Sequence, residues 1–185
     1  MMKATMILIS LTLPLLGFGQ NALSMNEVEE RREVAMSDTR GKRSDGKYRY
    51  YAKGETKPFT GVLFANYPNG QTRSWQEYEN GIGQGKWINY YENGHHKEIG
   101  HYNQDRVEGP IQKFYENGQL KAEGHYKDWR IKIGKWKYYQ PDGTLKTVTD
   151  YGTKGSIEEV KAYYQRGDIS YRWYADILSK NGFDL

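Results

Sequence analysis

The sequence contains no cysteine. Disulfide bonds, thiol catalysis and a lipid-modified cysteine are therefore excluded. It also lacks the glycine-rich phosphate loop, the dinucleotide-binding fingerprint and the Gly-x-Ser-x-Gly nucleophile motif. Carboxylates come singly, mainly in turns, although general acid or base catalysis needs a carboxylate in an environment that shifts its pKa. We therefore expect no enzyme and no cofactor.

Long apolar runs are almost absent. The run from Ala4 to Phe18 is shorter than the roughly 20 apolar residues that a membrane span needs. It follows Lys3, and the small residues Gly17 and Gly19 suit a signal peptidase site before Gln20. We expect residues 1–19 to be a signal peptide and the mature chain to be exported to the periplasm or secreted, without a membrane span. Retention of the segment as an uncleaved anchor is the alternative.

Glycine and aromatic residues are what the chain has in abundance. Among 185 residues there are 21 Gly and 17 Tyr, whereas apolar residues make up only 37%. This composition favours short exposed strands and tight turns over a deep core. The 27 Lys and Arg against 23 Asp and Glu are a mild basic excess, which does not indicate a nucleic-acid partner.

The glycines recur at a nearly constant interval. Spacings of 24, 24 and 25 residues separate Gly61, Gly85, Gly109 and Gly134, and also Gly70, Gly94, Gly118 and Gly143. The one extra residue lies in the loop KDWRIKI, and Asp45-Gly46 marks an incomplete opening repeat. In each repeat a strand such as GKWINYY meets an Asn-Gly or Asp-Gly turn, whose residues supply the positive φ of a tight hairpin. The pattern predicts an all-β fold over residues 45–155, an elongated meandering antiparallel sheet of tandem hairpins.

Strand alternation assigns residues to the two faces of this sheet. Equivalent positions of the first strands carry Leu63, Trp87, Ile111 and Trp136 on one face. In the return strands Leu120 and Leu145 are expected on the face of Ala122, Gly124 and Tyr126. Gly100 and Gly124 are expected to leave room for a neighbouring aromatic ring.

Two sets of side chains are candidates for partner binding. The opposite face of the return strands carries a basic column with one cation per repeat, Arg49, Arg73, Lys97, Lys121 and Lys146. It could meet an acidic protein or an anionic polymer, the alternative being a solvated outer face. Four aromatic residues could stack on sugar rings or pack between hairpins, Trp87, Trp136, Tyr90 and Tyr139. His101 and His125 are expected two strand spacings apart, roughly 9 to 10 Å, which is too far for one zinc ion, so no metal site is predicted.

The ends of the chain leave the repeat pattern. Residues 20–44 are polar and predict a linker or N-terminal cap, with one or two helical turns in VEERREVAM. Residues 156–185 predict a short helical cap, since Ser156 and Glu159 form a capping box and Asp168 can cap a second helix that stops at Asn181-Gly182. We expect the two helices to cover the open edge of the last hairpin. A partner-binding helix is the alternative.

The pattern Y-x-N-G-x-x-K-x-x-G-x-Y, a loop and G-x-W-x-x-Y-Y resembles the variant MORN repeat, over roughly residues 45–151. The flanking DGKYRYYAKGETKPFTG is similar to the opening segment of the YwqK-family antitoxins. This resemblance implies an elongated hairpin array that contacts proteins or membranes, with no catalytic residues. We therefore expect an exported, non-enzymatic scaffold for protein interactions at the cell envelope. The alternatives are a module that binds envelope glycan or polymer, and an antitoxin-like protein that neutralises a toxin.

Overall fold

A computed structural model describes residues 32–167 and 169–183. The predicted signal peptide and the predicted helix cap Asp168 lie outside the described residues. Within these ranges there are twelve strands, one turn of 3-10 helix at Met36–Asp38 and two α-helices, α1 (Ile157–Gln165) and α2 (Tyr171–Lys180). The strands are β1 (Glu33–Ala35), β2 (Thr39–Ser44), β3 (Lys47–Ala52), β4 (Gly61–Asn66), β5 (Thr72–Glu79), β6 (Ile82–Tyr90), β7 (His96–Asn103), β8 (Arg106–Val107), β9 (Gly109–Phe114), β10 (Leu120–Lys127), β11 (Ile131–Tyr139) and β12 (Leu145–Asp150).

Ten of the described strands form one long sheet. Its order is β1-β4-β5-β6-β7-β9-β10-β11-β12, with β8 beside β7, so successive hairpins lie side by side in chain order. Neighbours are antiparallel except β1, which runs parallel to β4. The predicted meandering sheet of tandem hairpins is confirmed. We call the edge with the Asn-Gly and Asp-Gly turns the turn end, and the edge with the connecting loops the loop end.

The hairpin at Asp45-Gly46 forms but does not join this sheet. Strands β2 and β3 make a separate two-stranded sheet, with Ser44 opposite Lys47. Arg49 on β3 therefore does not extend the basic column, and its inclusion there was wrong. Its guanidinium instead donates to the carbonyl of Asn80, 2.5 Å away at the loop end.

One face of the sheet, the core face, buries the equivalent first-strand residues. Trp87 and Trp136 are 1% and 0% exposed, and Leu63 and Ile111 are also buried. Gly100 lies beneath the ring of Trp87, where an added Cβ would come within 2.6 Å of Cζ2, and Gly124 lies beneath Trp136 in the same way. The predicted ring spaces are confirmed. The two tryptophans cannot stack on a sugar, because the sheet and its neighbours enclose both rings.

Each return strand begins with a β-bulge that strand alternation alone does not predict. Leu120 pairs with Phe114 whereas Ala122 pairs with the adjacent Lys113, so Lys121 is the extra residue. Leu120 and Ala122 therefore point to opposite faces, and grouping Leu120 and Leu145 with Ala122 was wrong. The same register shift places the other cations of the column at bulges, Arg73, Lys97 and Lys146.

The turns are tied to one another along the turn end. The hydroxyl of Tyr67 donates to the carbonyl of Tyr90, and Tyr91 and Tyr115 repeat this contact one hairpin further along, at 2.8 to 2.9 Å. The amides of Asn69, Asn93 and Asn117 donate to the next turn in the same manner. In the four turns of the long sheet only the glycines adopt positive φ, near 86°, so the expectation that both turn residues would do so was wrong there, whereas at Asp45-Gly46 both residues do, with φ of 52° and 72°. The asparagines link repeats instead.

The segments that flank the repeat array differ in part from the predicted secondary structure and helix caps. The described part of VEERREVAM is the strand β1 and the start of the 3-10 turn, not a helix. Ser156 does cap α1, whereas α2 is capped by Ser170 and ends, as predicted, before Asn181 and Gly182. Among the described residues, neither helix has the length and apolar character to cross a membrane.

The helix pair does not cover the open edge of the last hairpin. Val160, Ile177 and Leu178 pack against Ile131 at the start of β11, near the loop end. Leu145 and Val148 of β12 stay 56% and 48% exposed. The prediction about the covered edge was therefore wrong, because the apolar stripes of the helices pack against Ile131 and Trp129 instead of against β12.

Candidate functional site

A cleft opens at the loop end, between the β2–β3 hairpin and α2. Its outer part has a volume of about 510 Å³ and is lined by Arg43, Gly46, Arg106, Arg172, Trp173, Asp176 and Lys180. Its inner part, about 310 Å³, is lined by Tyr48, Tyr50, Tyr78, Tyr102, Asp105, Val107, Trp129 and Arg130. The two parts share no lining residue, and the rings of Trp129 and Trp173, 4.3 Å apart between centroids in an edge-to-face contact, lie at the boundary between them. The cleft thus draws side chains from the separate hairpin, the core face, the connecting loops and α2.

Backbone and side-chain bonds hold the hairpin wall in place. The amide of Tyr50 donates to the carbonyl of Gly81 at 2.9 Å, and the ammonium of Lys47 donates to the Gln104 side chain at 3.0 Å. Gly81 is required here, because an added Cβ would lie 2.7 Å from the carbonyl oxygen of Tyr50. These contacts dock an otherwise isolated two-stranded sheet, which alone is marginally stable in water.

Aromatic rings form the floor and one rim. Tyr50 lies edge-on between Tyr48 and Tyr78, at centroid distances of 5.6 and 5.3 Å. Tyr48 on the hairpin and Trp173 on α2 are 56% and 38% exposed, so both rings are accessible to a partner. Burial raises the pKa of Tyr78 and of Tyr102, so these phenols stay neutral across the physiological range.

The cations of the outer part differ in their pairing. Arg106 contacts Asp128 at 2.9 Å and lies 3.8 Å from Asp176, which Lys180 also contacts at 2.7 Å. Arg43 and Arg172 form no ion pair with any residue in the described ranges. Two guanidinium groups are therefore available to a carboxylate from outside, which they can bind in bidentate fashion.

Asp105 is the carboxylate of the inner part. Its Oδ1 accepts the amide hydrogen of Gly83 at 2.5 Å, and its backbone is left-handed with φ of 65°. Burial raises the pKa of Asp105, although the Gly83 hydrogen bond and the charges of Lys47 and Arg49 act in the opposite direction. The ionised carboxylate is therefore less stable here than in water.

We expect Asp105→Asn to stabilise the protein at pH 7. Because the native pKa of Asp105 lies above that of the unfolded chain, this carboxyl favours folding at acid pH, and the benefit is lost as pH rises through the native pKa. Asparagine keeps an acceptor for Gly83 and tolerates positive φ, but carries no charge. The melting temperature at pH 7 should rise by a few degrees, and the gain should shrink near pH 3.

Asp142→Asn is the control for this experiment. Hydrogen bonds from Thr144 lower the pKa of Asp142, so removal of its charge should bring no comparable gain at pH 7. An Asp105→Asn variant that melts at or below the wild-type temperature at pH 7 would contradict the assignment.

The residues proposed from the sequence lie elsewhere. Arg73, Lys97, Lys121 and Lys146 run along the turn end, away from the cleft, and the ammonium groups of Lys97 and Lys121 lie 5.5 and 5.3 Å from the ring centres of Tyr91 and Tyr115. Tyr90 packs beside His96, and Tyr139 donates to Glu123. Their role in binding stays a prediction.

Sequence reasoning missed the cleft, because its residues come from segments that break the repeat. Arg43 and Tyr48 belong to the incomplete opening repeat, Trp129 to the one loop with an insertion, and Arg172 and Trp173 to the C-terminal helices. The signal that could have found it is this coincidence of aromatic and arginine residues with departures from the 24-residue period.

Two of the four histidines line a different groove, on the opposite face of the sheet. His101 and His125 share a groove of about 370 Å³ with Glu123, Lys135 and Lys137. Across the described ranges, no three His, Asp or Glu side chains are arranged to hold a metal ion. The two lysines further disfavour a cation in this groove.

Comparison with known proteins bears on the repeats. The family described as "MORN repeat variant" matches residues 83–104 and 107–128, which span β6 to β7 and β8 to β10. No curated protein sequence matches the chain. A solved structure titled "Crystal structure of GtfA/B complex bound to UDP and GlcNAc" is 10% identical over 77% of this chain and 31% of its own, with a TM-score of 0.26. A score this low is not evidence of a shared fold.

Proposed function

We propose that this chain, a variant MORN-repeat protein, is a non-enzymatic scaffold at the cell envelope that binds another protein through the cleft between its β2–β3 hairpin and α2. MORN repeats in general are modules that bind proteins or membranes. The repeats form the rigid frame, and the two additions at the loop end supply the recognition surface.

The observation that carries this proposal is the placement of exposed Trp173 beside Arg43 and Arg172, which form no ion pair among the described residues, with exposed Tyr48 in the adjoining inner part of the cleft. Tyrosine, tryptophan and arginine dominate the binding energy of protein interfaces, since they bury large areas with few rotatable bonds or donate several hydrogen bonds at once. A concave site also excludes water around such residues, which strengthens their contacts.

The charge of the cleft indicates the chemistry of the partner. Four cations line its outer part, and Asp176 is the one acid among its described lining residues. Because the phenols of Tyr78 and Tyr102 in the floor are neutral, the acids among the described lining residues that repel an approaching carboxylate are Asp105 and Asp176, and five cations outweigh them. An acidic segment that carries an aromatic or aliphatic side chain fits this arrangement best.

Export of the mature chain is part of the proposal and is checked separately. Mass spectrometry of the protein recovered from its host should find Gln20 as the N-terminus. A chain that keeps residues 1–19 and stays in the cytoplasm would contradict this part, without bearing on the cleft.

The cleft is tested by affinity purification of the tagged protein from the envelope fraction of its host, followed by mass spectrometry. Arg43→Glu with Arg172→Glu should reduce recovery of the principal partner at least tenfold, since loss of about 1.4 kcal/mol of binding energy has that effect. Lys97→Glu with Lys121→Glu makes the same change of charge on the basic column and should leave recovery unchanged.

Two results would overturn the proposal. Equal recovery by the wild-type protein and the cleft variant would exclude the cleft, and loss confined to the column variant would assign binding to the turn end. Retention of the purified protein on envelope glycan, with no protein partner, would support the glycan-binding alternative. The burial of Trp87 and Trp136 disfavours that alternative, because it removes the two rings best suited to sugars.

A further inference from the structure

Among the described residues, no strand pairs with the outer side of β12, which makes it a free edge of the long sheet. It is the last strand in the sheet order and pairs with β11. Of its six residues, Leu145–Asp150, only Thr149 is partly buried, and Leu145 and Val148 are 56% and 48% exposed. The helix pair packs at Ile131 and leaves this edge open. A free edge presents unpaired amide and carbonyl groups that another strand can bind.

The last turn is not built to receive a further hairpin. Gln140 stands where Tyr67, Tyr91 and Tyr115 donate to the following repeat, and Asp142 stands where Asn69, Asn93 and Asn117 do so. A carboxylate cannot donate an amide hydrogen. A continuation of the array by head-to-tail addition of another chain would therefore lack the tyrosine and asparagine links that join the repeats.

The sequence of β12 is instead complementary to itself. In an antiparallel pair related by a two-fold axis at Val148, KTVTD meets its own copy so that Thr147 faces Thr149, and Lys146, the extra residue of the bulge with β11, lies across from Asp150 on both sides. Only every second residue of an edge strand directs its amide and carbonyl groups outward, so the pairing of two copies can shift only in steps of two residues. The nearest alternative pairings have their two-fold axis at Thr147 or at Thr149. Those registers place Lys146 or Asp150 opposite Val148, so charge selects the register at Val148.

We propose that two copies of this chain pair through β12 in this register, which joins their sheets into one. The dimer forms two ion pairs between Lys146 and Asp150 and removes the two Val148 side chains from water. Lys146 has no ion pair with any described residue, and Oδ1 of Asp150 accepts the amide hydrogen of Gly152 at 2.9 Å. Opposite charges facing each other across strands stabilise the pairing, and like charges weaken it. A two-fold contact of this kind closes on itself and does not form fibres.

Sedimentation equilibrium of the full chain, over a range of concentrations at low salt, tests the proposal. The wild-type protein should dimerise. Lys146→Asp and Asp150→Lys should each raise the dissociation constant at least tenfold, because each replaces two attractive pairs by two repulsive ones. The double variant Lys146→Asp/Asp150→Lys should restore dimerisation.

The most specific test is a mixture of the Lys146→Asp and Asp150→Lys variants, in which heterodimer formation is measured. In a mixture of the two single variants, both cross-strand pairs join an aspartate to a lysine, so the mixture should form heterodimers although each variant alone is largely monomeric. Lys121→Asp is the matched control, since it makes the same change at the equivalent bulge of an interior strand and should not alter association. The proposal would be overturned if the wild-type protein is a monomer at all concentrations, or if its dimer has the same dissociation constant as the Lys146 and Asp150 variants. Failure of the cleft experiment would not affect it.

Discussion

Gly124→Ala is expected to lower the free energy of unfolding by about 3 kcal/mol, the upper end of the usual penalty for overpacking a core. Glycine in a strand is normally less favourable than alanine, so β propensity alone predicts that this substitution raises the free energy of unfolding. The geometry decides, because an added Cβ would lie 2.6 Å from Cγ of Trp136 and closer still to two other ring atoms, whereas real Cβ atoms keep at least 3.0 Å.

The ring of Trp136 has no room to move away. It is 0% exposed and is surrounded by the rings of Tyr126, Tyr138 and Tyr151, with centroids 5.0, 6.1 and 6.3 Å away. Its indole nitrogen donates to the carbonyl of His125 at 3.2 Å. A shift of the ring would break this bond and displace three neighbours together, so strain spreads over the third and fourth repeats.

Urea denaturation of Gly124→Ala beside Gly134→Ala separates crowding from backbone strain. Gly134 has φ of 62° and open space around its Cα, so its substitution should cost about 1 kcal/mol through backbone strain alone. The double variant Gly124→Ala/Trp136→Leu should lose less than the sum of its single variants, because the smaller side chain relieves the crowding. A loss at Gly124 no larger than that at Gly134 would show that the ring can adjust.

The ring spaces could be predicted, whereas the bulges could not. A period of 24 residues fixes turn and strand positions at once, so alternation predicted a neighbouring ring at Gly100 and Gly124 without naming it; Gly100 pairs with Trp87, whereas Gly124 pairs with Ile111 and lies beneath Trp136 of the next hairpin. Alternation fails at the return strands, because the extra residue of the bulge reverses the face assigned to each strand residue that precedes it. Nothing in the letters LKA distinguishes a regular strand from one in which Lys121 is extra.

The cleft was beyond prediction for a related reason. Repetition predicts contacts between equivalent residues of neighbouring hairpins, but Tyr48 of the incomplete opening repeat and Trp173 of the C-terminal helices are 125 positions apart in the chain. Arg49 shows the limit most clearly, because its spacing of 24 residues from Arg73 fits the column although its strand docks on the loop end. Periodicity describes the frame, and tertiary docking of the irregular segments creates the site.

Docking of the helix pair depends on Ile131, and Ile131→Ala should reveal this dependence. The side chain is 1% exposed and packs against Val160, Ile177 and Leu178. Truncation of a buried isoleucine costs about 2 to 5 kcal/mol, and the loss here falls on the contact between sheet and helices. Since α2 carries Arg172 and Trp173, we expect both a lower free energy of unfolding and a weaker capture of the protein partner.

Ile133→Ala is the matched control, because it removes the same atoms from the same strand at a position that is only partly buried. Hydrogen exchange should show faster exchange throughout α1 and α2 in the Ile131 variant but not in the control, since local opening follows the loss of buried contacts. Faster hydrogen exchange in the helices with unchanged capture of the partner would show that partner binding does not depend on docking of the helix pair. Loss of both together, with β5 to β7 still protected, would show that the cap holds one wall of the binding site in place.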